Sequence, residues 1–185
     1  KVVPYIFTSA TDFTKGTLLN INSSAPNDEQ LQLDGATATL SFIWVAASSR
    51  GTIVKINTET GEVLGEYLSA PDTMGRNPSR TTVDNNGNVW AGNRDEAGGG
   101  KGSVVQIGLQ ENGQCQDRHG ATISDPPDGS IQTSTGLGNI LSWDNALGAD
   151  TNGGVSTAFD ECIIKYIRVE GDNVRHVSVD ANNNV

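Results

Sequence analysis

The sequence predicts an all-β fold, and three observations carry that expectation. The 185 residues include 22 Gly, with only 18% charged and 5% aromatic residues. Together with abundant Asn, Thr and Ser, this is the mixture of strands joined by tight turns rather than of a helical bundle. Apolar runs such as "LSFIWVAA" alternate with turn signals, which a disordered chain does not do. Finally, the chain repeats itself: "TTVDNNGNVW" at 81–90 returns as "VSVDANNNV" at 177–185.

A chain of this length suits one domain with a core large enough to be stable, and its composition divides it into four stretches. Residues 1–40 carry no repeat signature. They open with Lys1, Val2, Val3, Pro4, Tyr5, Ile6, Phe7 and Thr8, a short β-branched and aromatic strand that Pro4 confines to an edge or bulge. Such a strand either closes a sheet of its own chain or adds to the open edge of another copy. The following polar segment, 20–37, is turn-rich and holds one N-glycosylation pattern at Asn22-Ser23-Ser24.

Residues 41–107 hold the repeat itself. "IWVAASSRGTIVKINTETGEVLGEY" (43–67) aligns with "VWAGNRDEAGGGKGSVVQIGLQENGQ" (89–114). Both read apolar–Trp–small–small, a polar loop, Gly–Thr/Ser and an alternating strand. Trp44 and Trp90 lie about 46 residues apart, and internal periods near 40–50 residues are the signature of β-propeller blades, each a small four-stranded sheet. "NVWAGN" and "GTIVKINT" read as paired strands, "TETGEV" as a hairpin turn in which Gly61 supplies the positive φ, and "EVLGEYLS" as the returning strand. Asn86-Gly87 forms the tight turn of the next hairpin. The two tryptophans are expected between packed sheets.

Residues 108–160 interrupt the repeat with Gly- and Asp-rich loops. Asp117, Asp125 and Asp128 in the first loop, and Asp144, Asp150, Asn152, Asp160 and Glu161 in the second, are oxygen donors of the kind Ca²⁺ sites use. Their spacing is not that of an EF-hand, and Asx-turns account for the same composition without metal. Calcium is the one cofactor the sequence offers. Cys115 and Cys162 flank this insertion. Pairing them closes a loop of about 47 residues and stabilises the fold by about 3–4 kcal/mol in an oxidising compartment; two buried thiols are the alternative. Residues 161–185 begin a further blade. About two and a half blades are fewer than the roughly four a closed propeller needs, which leaves a piece of a longer chain, complementation between copies, or an open, Ig-like β-sandwich completed by a donated strand. The opening at Lys1, without Met, fits processing or a partial chain.

The segments "PSRTTVDNNGNVWAGN", "GTIVKINTETGEVLGEY" and "HVSVDANNNV" resemble the blades of NHL/YncE-type β-propellers and, more closely, of the virginiamycin B lyase-like propeller family, over about residues 40–110 and 161–185. That resemblance implies propeller architecture; in the enzymes it also implies a histidine general base and a Mg²⁺-assisted site on one face. Here Arg80 stands where the first copy would carry that histidine, and His176 occupies the place in the second. His176 alternates with Val177 and Val179, the pattern of a partly buried structural histidine, and His119 is expected exposed in the insertion loop. No catalytic residues are assigned, because a lone histidine without a matched acid or metal cluster is no general base. "GGGKGS" at 98–103 lacks the spacing and following helix of a phosphate loop.

The net charge of −10, with no basic cluster, repels a phosphate backbone and excludes nucleic acid as a partner. No apolar run reaches the roughly 20 residues that span a bilayer. Scarce Lys with abundant Asn and Thr is a tendency of secreted bacterial β-proteins. The expectation is a non-catalytic module, extracellular or on the cell surface. It would partner other copies of itself, in a filament or pilus-like fibre assembled through the strand at residues 1–8; the alternative is a piece of a lyase-like or ligand-binding propeller enzyme.

Overall fold

A hydrogen-bonded loop centred on Asp84 organises the fold, and the chain builds it twice. In the computed structural model, which describes residues 21–22, 32–33, 40–94, 101–145 and 154–185, the Asp84 carboxylate Oδ1 accepts the main-chain N–H groups of Asn86 and Asn88, each at 3.0 Å, while Oδ2 accepts the Asn88 side-chain amide at 3.1 Å. The Asp180 carboxylate does the same with Asn182 N–H (2.8 Å), Asn184 N–H (2.9 Å) and the Asn184 amide (3.0 Å). Short Asx side chains favour such local main-chain bonds. Both turns pass through the left-handed region, at Gly87 (φ 83°) and at Asn183 (φ 63°), residues that tolerate it best.

The chain divides into two units, Lys1–Thr39 and Leu40–Val185. In the first, β1 (Ile21–Asn22) pairs antiparallel with β2 (Gln32–Leu33). The second is all-β, with seven antiparallel strands in two sheets and no α-helix among the described residues. Sheet I is the meander β3 (Phe42–Ala47), β4 (Thr52–Asn57), β5 (Val63–Leu68). Sheet II is the meander β6 (Pro78–Val83), β7 (Val89–Asn93), β8 (Ser103–Ile107), β9 (Ile163–Arg168). Neither closes into a barrel; the arrangement is that of an open β-sandwich or of incomplete blades. β3, β4 and β5 arise from the first aligned repeat and β7 and β8 from the second, with Gly61 at φ 74° in the β4–β5 turn, as its sequence context anticipates.

The two sheets share one core. Sheet I contributes Trp44, Ile53 and Tyr67; sheet II contributes Val89, Ala91, Val105, Ile107, Ile163 and Tyr166. Strand alternation explains most of the selection, since residues two apart on a strand face the same side, and the register shift in the β8–β9 ladder brings Ile163 and Tyr166, three apart, to that side opposite Ile107 and Val105. The long connection from β8 to β9 is not a detached loop. It returns Trp143, fully buried, against Tyr166 in an edge-to-face contact with ring centroids 5.2 Å apart, and it pairs Trp143 with Ala158 in an isolated bridge.

Three expectations are corrected here. His119 is not exposed but buried at 2% accessibility, with its ring 5.1 Å from that of Phe159. His176 is exposed rather than partly buried, and the segment 174–180 around it has no strand hydrogen bonding among the described residues. Trp90 is buried, but on the side of sheet II opposite the shared core.

Candidate functional site

Aligning the two repeats on their ladders identifies a face that is covered by a whole sheet in one case and by the terminal segment and Lys165 in the other. In sheet I, Trp44 pairs across with Lys55, and Ile53 with Tyr67. In sheet II, Trp90 pairs with Gln106, and Val104 with Ile167. Trp44, Ile53 and Tyr67 therefore correspond to Trp90, Val104 and Ile167. The first three are buried against sheet II. The second three line a cavity of about 440 Å³, with Lys165, Val169 and the terminal residues Asn183, Asn184 and Val185. Lys165 Nζ lies 5.4 Å from the Trp90 ring centroid, close enough for a cation–π contact. Below it, the Asp84 Oδ2 atom accepts Trp90 Nε1–H at 3.2 Å and the Gln106 amide at 3.1 Å. Trp44 is capped instead by the next loop along the chain, donating from Nε1 to the Gly87 carbonyl at 3.3 Å.

The terminal segment lies across sheet II. A Cβ on Gly92 would come within 2.4 Å of the Val174 side chain and 3.0 Å of its carbonyl, so only glycine admits the crossing at β7. The Thr82 hydroxyl donates to the Val177 carbonyl, and Asn85 is bonded through its main chain to the Asn183 side chain and through its amide to the Ala181 carbonyl, both at 2.9 Å.

A second groove, of about 420 Å³, runs beside β3 between Trp44, Val45 and Ala46 on one side and Ser79, Arg80 and Thr81 on the other, with His176 at its rim. Arg80 and His176, which the sequence places at equivalent repeat positions, are thus brought together. The His176 Nε2 atom lies 3.1 Å from the Ser178 hydroxyl.

The insertion gathers a buried polar hub instead of a cleft. The Glu161 carboxylate accepts N–H bonds from Arg118 (2.6 Å), His119 (3.0 Å) and Gln132 (2.8 Å). Burial alone would raise this carboxyl, but those donors and the neighbouring His119 ring hold it below the usual range. Asp160 accepts from Ser134 Oγ (2.6 Å), Ser134 N–H (2.9 Å), Thr133 Oγ1 (3.0 Å) and Cys162 N–H (2.9 Å). For this group burial prevails over its donors and raises it. Arg118 stitches the hub to β9, donating to the carbonyls of Asp160 (2.8 Å) and Ile163 (3.1 Å), among others. The Cys115–Cys162 disulfide forms beside it.

Of the calcium candidates, Asp160 and Glu161 thus meet protein donors at all four carboxylate oxygens. Asp117 receives Gly129 N–H at 2.7 Å and Asp125 receives Thr122 N–H at 2.9 Å, while Asp128 receives Ser130 N–H at 2.8 Å in an Asx-turn. The Asp144 carbonyl accepts the Thr157 hydroxyl at 2.7 Å; Asp150 and Asn152 lie outside the described residues. Among the described residues no group of three or more His, Cys, Asp or Glu side chains could hold a metal ion. The strand at residues 1–8 likewise lies outside the described residues. Sequence reasoning missed the Trp90–Lys165–Ile167 face, although the repeat alignment that pairs Trp44 with Trp90 contained the signal. Among the described residues no helix is long and apolar enough to cross a membrane. No family model, no curated protein and no solved structure matches the chain.

Proposed function

We propose that this chain is a non-catalytic structural and binding module, extracellular or at the cell surface, whose propeller-type blades associate with further copies of the chain. The observation that supports this reading is a core-like face that no sheet among the described residues covers: Trp90, buried beneath the terminal segment, and the half-buried Val104 and Ile167 hold the ladder positions that Trp44, Ile53 and Tyr67 hold in the shared core. A sheet face of this composition is stabilised by a covering sheet about 10 Å away. The disulfide is in keeping with an oxidising setting, and the acidic surface keeps such a module soluble until its faces meet. Light scattering on the purified chain, followed across concentration, tests the reading. Masses that rise in whole multiples of the chain are expected, and a monomer at every concentration would overturn it.

A second reading, a ligand-binding or lyase-like propeller, is favoured by one observation, the meeting of Arg80 and His176 at the groove beside β3. It predicts a turnover that His176→Ala abolishes while the protein stays folded.

A further inference from the structure

Among the described residues sheet II has four strands and sheet I has three, and the equivalence of the repeats says which one differs. β7 corresponds to β3, so the strand without a counterpart among the described residues of sheet I is β6. In sheet II, β6 lies on the edge of β7 with Thr82 opposite Trp90 and Val83 opposite Val89. In sheet I, the ladder with β4 engages the main chain at Ser41 and alternate residues beyond it. The main-chain groups of Phe42, Trp44 and Ala46 therefore point to the other edge. There the Trp44 carbonyl meets only a side chain among the described residues, the Thr81 hydroxyl at 3.0 Å, and the 420 Å³ groove runs alongside.

The chain also holds a segment that repeats β6. Residues 174–180 precede the Asp180 loop as β6 precedes the Asp84 loop, and the two loops share the same three local bonds to their aspartate carboxylates. Among the described residues this segment belongs to no sheet. Resting on the self-association reading above, we propose that residues 174–180 of one copy complete sheet I of a second copy, pairing with its β3 as β6 pairs with β7. The register follows from the equivalence: Val177 opposite Val45, Ser178 opposite Trp44, Val179 opposite Ile43.

A separate observation agrees with this occupant. Strand addition at that edge carries the second copy's sheet I onto the Trp90 face of the first, presenting the side that corresponds to Val89 and Ala91 of the shared core. Those positions in sheet I are Ile43 and Val45, which are 50% and 38% exposed, unusual for β-branched residues in a strand. The contact covers them with the half-buried Val104 and Ile167 that flank the buried Trp90 ring. It is head-to-tail, so it closes into a ring or runs on as a filament according to the rotation per copy; with two blades for each copy, rings of about two to four copies match the four to eight blades of closed propellers.

The test is a cross-link between two differently labelled copies. Val83 and Val89 sit at a non-hydrogen-bonded site of the β6–β7 ladder, because the Asp84–Asn88 pair next in register is hydrogen-bonded. The corresponding Ile43–Val179 pair brings the Cα atoms within disulfide range. Ile43→Cys protein is mixed with Val179→Cys protein under mild oxidation. A reducible dimer in the mixture, absent from a mixture of Thr58→Cys with Val179→Cys and retained when residues 1–8 are deleted, is the expected result. Oligomers by light scattering without the Ile43–Val179 cross-link would overturn the donor assigned here while leaving self-association intact. A cross-link lost on deleting residues 1–8 would overturn it in favour of that strand. Monomers with no cross-link would overturn both readings.

Discussion

The Trp44 face of sheet I and the Trp90 face of sheet II are built from corresponding residues and have different surroundings. Trp44 is packed by a complete neighbouring sheet and capped by the Gly87 carbonyl. Trp90 is met instead by the terminal segment and by Lys165, with Asp84 bonded to its Nε1–H. The substitutions within the repeat follow the surroundings. Tyr67, packed on Trp44 with ring centroids 5.6 Å apart and tilted 54°, has Ile167 as its counterpart, and Gly65 has Lys165. The difference teaches that burial here is a property of what a sheet is laid against, and that one repeat serves as core or as contact surface without changing its strand pattern.

Several substitutions would break or sharpen this comparison. The largest effect is expected at Trp44: Trp44→Ala should cost about 3–5 kcal/mol in denaturant unfolding, through the cavity and lost transfer energy. Trp90→Ala, at a ring just as buried but covered by the terminal segment instead of a sheet, should cost the isolated chain less and abolish self-association by light scattering. Equal losses of stability at the two positions would show that the faces are not differently covered. Replacing both Cys115 and Cys162 with Ser should cost about 2–4 kcal/mol, by freeing the loop that the disulfide closes, and the thermal midpoint should fall accordingly.

The insertion hub should respond to acid. Glu161 is held below the usual carboxylate range in the folded chain, so its stabilisation is complete above the unfolded value and is lost as pH falls through the lower folded one. The same sign holds for Glu66, whose burial is outweighed by its bonds to Arg50 and Thr52. Asp160 has the opposite sign, being raised, so its burial costs stability when it is ionised and that cost is relieved on acidification. Glu161→Gln should cost about 1–3 kcal/mol at neutral pH and flatten the decline of the melting temperature below the usual carboxylate range; an unchanged slope would assign acid unfolding to other groups. The smallest contrast lies between the two Asx loops. Asp84→Ala, at a buried loop that also holds Trp90 and Gln106, should cost about 1–2 kcal/mol, whereas Asp180→Ala should cost less than about 0.5 kcal/mol in the monomer, with a larger penalty appearing only in the assembled state.

Much of the fold was legible because its information is local. The 46-residue alignment, the alternation in "GTIVKI" and "GSVVQI", and the Asp-Asn-Gly turns place β3 through β8 and both Asx loops. What the sequence did not disclose depends on contacts between residues far apart in the chain. Arg118 reaches β9 across the whole insertion, Trp143 enters the core from a Gly- and Asn-rich stretch with no periodicity, and His119 is buried by Phe159 and Ala158 from the far end of the same insertion. An acidic, Gly-rich loop reads alike whether its carboxylates meet cations or main-chain N–H groups, so the aspartates suggested calcium where the fold uses Asp160 and Glu161 as acceptors. The open face was hidden for another reason: its residues read as core, and only the tertiary arrangement shows that no sheet among the described residues lies over them.

The central claim is that the Trp90 face and the exposed Ile43–Val45 side of sheet I are two halves of one contact. It is tested most directly by light scattering of Ile43→Asp protein and of Trp90→Ala protein, each alone and then mixed. Each variant alone lacks one half and should stay monomeric, while the mixture should recover dimers through the one intact pair of faces, Trp90 of the first against Ile43 of the second. Monomers in the mixture, with the unsubstituted chain assembling normally, would contradict it.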